Sequence, residues 1–277
     1  MRVLVLESVV LGAIQGFTEF LPISSDGHLA LTEMLFKFSN KGLALNVMLH
    51  VGTLAATLVM LWSRVRPALF DGLAACIKPA NFSTIPGARD ALVVILATIP
   101  TALIGFGLRD TVERWTESPL AVGLGFLGTS AVLIASRFAK TGAHEQPGVV
   151  GALLIGAAQG LAVLPGLSRS ASTITVALFL GVKPQRAFEL SMLMSIPAVF
   201  GATLLEAPNA WADPSLLLPA SIGAVTAFAV GVVALGLLRR IVVAGRFSWF
   251  ALWVLPVALA TLALAKAWPH GAPSALP

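Results

Sequence analysis

Charge is what this sequence has least of. Of 277 residues only 11% are Asp, Glu, Lys or Arg, whereas a soluble domain carries about 25%. That shortage excludes an ordinary water-soluble domain. A disordered chain is excluded as well, because it needs low hydrophobicity and here 57% of residues are hydrophobic, with a mean hydropathy of +0.90. The single cysteine, Cys76, excludes intramolecular disulfides and cysteine-cluster metal sites. The net charge of +5 comes without any basic run, so no nucleic-acid partner is expected. No secretory signal peptide is expected either, since Glu7 interrupts the apolar run after Arg2 and no small-residue cleavage site follows.

What remains is an integral membrane protein, predicted to be all-α and to form a single membrane domain over 1–277. Six segments are long and apolar enough to span: 43–63, 90–108, 119–139, 185–205, 216–238 and 247–268. Pro100, Pro197, Pro219 and Pro256 fall inside four of them, which membrane helices tolerate. Trp62, Trp249, Trp253 and Trp268 lie near span ends, where an amphipathic ring sits well. The stretch 64–89 reads as a surface connection, and the tail from Pro269 to Pro277 as frayed.

Two further apolar stretches behave differently. Residues 3–20 run into Leu21-Pro22-Ile23-Ser24-Ser25-Asp26-Gly27-His28, and the arm from His28 to Lys37 is too short to cross. At 1.5 Å per residue it reaches about 13 Å, against a hydrocarbon core of about 30 Å. Residues 149–181 repeat the plan, with a polar tip from Pro165 to Ser172. Both read as re-entrant helical hairpins. They also match in sequence: Gly12-Ala13-Ile14-Gln15-Gly16 recurs as Gly156-Ala157-Ala158-Gln159-Gly160 at an offset of 144, and Leu21-Pro22 as Leu164-Pro165 at 143. Each half, about 1–140 and 148–268, then holds one hairpin and three spans. Three is odd, so the halves are expected to form an inverted repeat with the site between them. Charge orients this arrangement. Eleven basic residues, among them Arg64, Arg89, Lys183 and Arg186, fall on one side, and six fall on the other with Asp110, Glu113, Glu117, Glu206 and Asp213. The first side is expected to be cytoplasmic, with both termini and the first hairpin's mouth outside.

Once loop charges are set aside, the polar residues left in the membrane sit on the two tips. Glu19, Asp26, His28 and Arg169 each cost at least about 2.5–3.5 kcal/mol at bilayer depth unless they meet one another or a ligand. Gln15 and Glu19 are four apart and share a helix face. Glu19 can hold a hard divalent cation with Gln15 as a neutral oxygen donor. His28 can act as acid, base or nucleophile, and Ser25 is the other candidate nucleophile. In the second tip, Ser168, Arg169, Ser170 and Thr173 surround a helix start near Ser170. Hydroxyls, free N–H groups and a guanidinium fork there suit an anion, most simply a phosphate. For Ser172 helix capping is the expected role.

These residues resemble the bacterial undecaprenyl-diphosphate phosphatases, or bacitracin-resistance proteins. The family's hallmarks are a Glu/Gln-x-x-x-Glu motif leading into Pro-x-Ser-Ser-x-Gly-His and a distant Pro-Gly-x-Ser-Arg-Ser-x-x-Thr. The sequence carries them as Gln15 to Glu19, Pro22 to His28 and Pro165 to Thr173. The resemblance implies hydrolysis of undecaprenyl diphosphate to the monophosphate carrier lipid for peptidoglycan synthesis. It also implies dependence on Mg2+ or Ca2+ and an active site on the outer face of the bacterial inner membrane. By the same resemblance, Glu19, Ser25, His28 and Arg169 are expected in catalysis. Ser168, Arg169, Ser170, Thr173 and Gln15 are expected at the substrate, and Glu19 with Gln15 at the metal. Asp26 stands where the family usually has Ser or Thr, either as an extra cation ligand or as a like charge beside the diphosphate. Ala171 replaces a frequent Gly.

Bland roles are expected elsewhere. His50 is expected to be a helix-packing histidine with Asn46 as partner, with lining the cavity as the alternative, and Glu189 to pair with Arg186 or face water. Gly12, Gly16, Gly156 and Gly160 are expected to allow close helix packing. A transporter or flippase for an anionic or polyprenyl-phosphate lipid is the competing function, because inverted repeats with re-entrant hairpins suit alternating access.

Overall fold

The computed structural model describes residues 2–36, 43–140, 142–210 and 217–267, so Trp268, Asp213, Lys37, Lys41 and the tail expectation lie outside the described residues. Among them the chain is helical, without strands beyond one isolated bridge between His144 and Val182. The helices are α1 (Arg2–Thr18), α2 (Ser25–Phe36), α3 (Leu43–Met60), α4 (Trp62–Ile77), α5 (Asn81–Thr84), α6 (Pro86–Gly107) and α7 (Arg109–Thr116). They continue with α8 (Pro119–Ser136), α9 (Gly148–Leu161), α10 (Arg169–Phe179), α11 (Pro184–Ala210), α12 (Leu217–Val243) and α13 (Ala251–Ala267). Several start signals are local. Pro86 and Pro119 occupy first-turn positions, where the missing N–H costs nothing, and the Ser118 hydroxyl accepts a hydrogen bond from the Ala121 N–H.

Among the described residues, five segments are long and apolar enough to cross a bilayer: Pro86–Gly107, Pro119–Ser136, Pro184–Glu206, Leu217–Val243 and Phe247–Lys266. The chain is thus a multi-pass membrane protein. The sixth expected span, 43–63, falls in a bent pair: Leu45–Met60 and Trp62–Ile77 are together long and apolar enough to cross, and they meet at 85° about Leu61. The stretch 64–89, expected as a surface connection, is helical, holding most of α4, all of α5 and the start of α6. The signal passed over there was helical spacing. Trp62, Leu69, Phe70, Leu73 and Ile77 lie exposed on α4, while Gly72 and Ala75 face inward.

The short apolar helices α1 and α9 are seated by their glycines, as expected. A Cβ at Gly12 would fall 2.5 Å from the Gly223 carbonyl oxygen of α12, and one at Gly156 would fall 2.2 Å from the Ala97 carbonyl oxygen of α6. Helix α1 thus lies on α12, and α9 lies on α6. One buried cluster runs from Phe20 through Phe126, Ile155 and Ile174 to Leu235 and Ala258. Each short helix then breaks, α1 before α2 and α9 before α10. Ser24, a non-glycine residue, takes φ +68° at the first break, and Gly166 takes φ +88° at the second. Left-handed backbone at a residue with a side chain costs about 1–3 kcal/mol and persists where the surroundings hold it.

Candidate functional site

The first break keeps one more helical turn in its backbone, because the Glu19 N–H donates to the Gln15 carbonyl at 2.9 Å. That turn puts the fully buried Gln15 beside Glu19, and Gln15 Nε2 donates to Glu19 Oε2 at 3.1 Å. Ser25, at the start of α2, donates its hydroxyl to the same oxygen at 2.7 Å. The other oxygen, Oε1, accepts Arg169 Nη2 at 2.6 Å from the start of α10. Residues 150 positions apart in sequence therefore meet in one buried constellation.

The second tip is held from its side. Ser168 is the N-cap of α10, its hydroxyl accepting the Ala171 N–H at 3.2 Å. Its own N–H donates to Thr129 Oγ1 of α8 at 2.8 Å, and that hydroxyl donates to the Gly166 carbonyl at 2.7 Å. Thr129, which sequence reasoning missed, therefore clamps the loop that aims Arg169. The helix begins at Arg169 with Ser168 as its cap, in line with the expected start near Ser170.

Glu19, Ser25, Asp26, Ser168 and Arg169 line one cavity of about 380 Å³. Two of the lining residues hold a polar atom without a protein partner among the described residues, Arg169 Nη1 and Gln159 Oε1, and so does the buried Gln15 that bonds to Glu19, at Oε1. A buried donor left unsatisfied costs free energy unless a ligand or water completes it. Arg169 Nη1 and the first-turn N–H groups of α10 together suit an anionic oxygen.

Three expected site residues lie elsewhere. His28 lies on a second, largely apolar cavity of about 620 Å³, beside Phe17, Phe250 and Trp253. Its Nδ1 lies 2.8 Å from the Ser24 carbonyl, and its Nε2 faces the Trp253 indole N–H at 3.3 Å. The reason is helix rotation. At 100° per residue, Asp26, Leu29 and Glu33 share one face of α2, and His28 and Thr32 share another. Ser170 and Thr173 are buried away from the first cavity. Ser170 Oγ meets Ser168 Oγ at 3.3 Å, and Thr173 bonds to the Arg169 carbonyl at 2.8 Å and to Ser191 Oγ at 2.6 Å. An i, i+4 hydroxyl falls back on its own helix. Ser172 likewise donates to the Ser168 carbonyl rather than capping.

His50 moves the other way. Expected to pack between helices, it lines the first cavity together with Asn46 and Gln159. Its Nδ1 lies 2.9 Å from the Asn46 backbone carbonyl, not from that residue's side chain, and its Nε2 lies 4.0 Å from Asp26 Oδ1. The signal was present in the sequence: Asn46, His50, Thr53 and Thr57 form one polar stripe along an otherwise apolar helix.

A second charged cluster forms at the start of α11. Arg186 pairs with Asp90 and, through Nη1 at 2.6 Å, with Glu189, as the i, i+3 spacing suggested. Arg64 Nε reaches Glu189 Oε2 at 3.1 Å. Among the described residues no three His, Cys, Asp or Glu side chains converge as a metal cage.

A family model described as "Bacitracin resistance protein BacA" matches residues 8–260. An undecaprenyl-diphosphatase of Desulfatibacillum aliphaticivorans is 43% identical over 258 residues, covering 89% of this chain and 93% of the relative. One from Desulfosudis oleivorans is 40% identical with the same coverage. One from Carboxydothermus hydrogenoformans is 34% identical over 92% of this chain and 96% of its own.

Proposed function

The chain belongs to the bacitracin resistance protein BacA family, and from that membership we propose that it is a membrane phosphatase that converts undecaprenyl diphosphate to undecaprenyl phosphate and inorganic phosphate. It thereby recycles the carrier lipid for peptidoglycan and cell-envelope synthesis and confers bacitracin resistance. The observation that carries this reading is the 2.6 Å contact between Arg169 and Glu19 at a cavity wall, with Arg169 Nη1 still unpaired among the described residues.

Arg169 Nη1 and the N-terminus of α10, opened by Ser168, bind oxygens of the terminal phosphate. Gln15 and Ser25 hold the Glu19 carboxylate in place. The bond broken is a phosphoanhydride between two charged phosphoryl groups, so charge stabilisation in a walled cavity carries much of the rate. The lipid's apolar portion lies in the second cavity, which shares Thr18 with the first. His28 there braces the Ser24 turn from the apolar side.

The donor set suits a divalent cation held jointly with substrate rather than in a resident cage. Gln15 Oε1 is a buried oxygen without a protein partner among the described residues, beside a carboxylate, and Mg2+ commonly uses one or two carboxylates plus substrate phosphates. Glu19 and Gln15 would hold it. Such an ion supplies neutralisation of the diphosphate's charge.

The breaks after α1 and α9 form two re-entrant hairpins in an inverted repeat. This is supported by lengths of about 18 Å for α2 and about 16 Å for α10, too short to cross, and by the reciprocal seating of α1 on α12 and α9 on α6. The cavity faces outward in the inner membrane, with both termini outside. Its wall carries Glu206 and Thr116, whereas Arg64, Lys183 and Arg186 gather in the other cluster.

Purified protein in detergent is expected to release inorganic phosphate from undecaprenyl diphosphate and to lose that activity with chelator, regaining it with Mg2+ or Ca2+. Binding of the lipid without phosphate release would point to transport or flipping instead.

A further inference from the structure

Among the described residues, His50 is the histidine with a ring nitrogen turned into the polar cavity. Its Nδ1 donates to the Asn46 carbonyl at 2.9 Å, since a carbonyl only accepts. In the neutral ring the proton therefore sits on Nδ1 and the Nε2 lone pair is directed at the cavity, 4.0 Å from Asp26 Oδ1. His28 is arranged oppositely: its Nδ1 donates to the Ser24 carbonyl, and its Nε2 accepts the Trp253 indole N–H. No ring lone pair of His28 is free to take a proton or attack phosphorus.

The distance from His50 Nε2 to Asp26 Oδ1 is too long for a hydrogen bond and matches the span that one bridging water fills. Both groups are open to the cavity, with side-chain exposures of 27% and 53%. They share it with Glu19 and Arg169. Asp26 has thus a definite neighbour, a histidine on α3, and it stands apart from the Glu19 carboxylate that Arg169 and Ser25 occupy.

We propose that His50 is the general base of the reaction and that Asp26 is its positioning residue, the two holding the attacking water opposite Arg169; this rests on the phosphatase reading above. His50 Nε2 takes a proton from the water as its oxygen bonds to the terminal phosphorus. The bond from that phosphorus to the bridging oxygen breaks, and its electron pair leaves on the lipid monophosphate. The proton passes from His50 to the released phosphate or to solvent. No phosphoenzyme forms.

The test compares purified variants for phosphate release from undecaprenyl diphosphate, thermal unfolding in detergent and rescue by added imidazole. His50→Ala is expected to lose about 10²–10⁴-fold in rate, the usual contribution of a positioned base, with unchanged unfolding, and imidazole restores part of the loss. Asp26→Asn loses less and is not rescued by imidazole. His50→Ala turning over at the wild-type rate overturns the assignment, as does a loss that imidazole does not touch. A phosphorylated Ser25 or His28 trapped during turnover overturns it as well. Wild-type protein that releases no phosphate defeats the phosphatase reading itself, a result distinct from any of these.

Discussion

Arg169 and Arg186 are both guanidinium groups drawn in among carboxylates, and they are completed to different degrees. Arg186 faces Asp90, Glu189 and Glu145, and Glu189 is completed by Arg64 and Gln185. Arg169 meets one carboxylate, Glu19, and leaves Nη1 without a protein partner among the described residues. A closed network of this kind fixes helices. Here it ties α11 to α6 and α4. An open one at a cavity wall keeps a donor for something that comes and goes. The difference separates a charge cluster that holds the fold from one poised for a ligand.

Breaking the open pair has the larger effect on turnover. Arg169→Ala is expected to lower phosphate release by at least about 10²–10³-fold, the scale for removing one transition-state donor. Unfolding in detergent should shift as well, because the Glu19 side chain is only 7% exposed and loses its cation, so turnover is compared per folded molecule. Breaking the closed network costs stability without that loss of turnover. Arg186→Ala leaves Asp90, 4% exposed, without its cation, and removing one partner of a buried pair costs about 3–5 kcal/mol. An unfolding titration should show this, while phosphate release per folded molecule is retained. The smallest effect is expected at the rim, where the hydrogen bond from Lys183 holds the Glu145 carboxyl below its ordinary range. A depressed carboxyl contributes its full stabilisation above its ordinary range and loses it as pH falls through the lowered value. Lys183→Ala should therefore lower stability by no more than about 1 kcal/mol at neutral pH, and the difference should vanish once pH is below that lowered value. Equal activity losses in Arg169→Ala and Arg186→Ala, at equal folded fractions, would erase the distinction.

Much of this was legible in residue order. The membrane class followed from the scarcity of charge, and five spans followed from apolar length. Glu19 and Arg169 stood out because ionisable groups in apolar stretches need partners, and they found each other. The glycines of α1 and α9 were read correctly because close approach leaves a mark in side-chain size. Other features left weaker marks. The stretch 64–89 was judged by its prolines and arginines, and the 3–4 spacing of Trp62, Leu69, Phe70, Leu73 and Ile77 went unweighed. His50 by itself suits a packing role as well as a cavity wall, and only the polar stripe from Asn46 to Thr57 distinguishes the two. His28, Ser170 and Thr173 were placed by proximity in sequence, which does not report the face of a helix.

Sequence by itself determined that the chain lives in a membrane, that its two short apolar helices break at the polar tips, and which few polar groups must be reconciled there. Those follow from one-dimensional quantities: apolar length, glycine and proline positions, and the cost of a charge in hydrocarbon. Tertiary structure alone decided which of those groups share a cavity. Each residue along a helix turns its side chain by 100°, and the rotation of α2 about its own axis is set by packing against neighbours up to 225 residues away, such as Trp253. That rotation put Asp26 opposite His50 and turned His28 toward the apolar side.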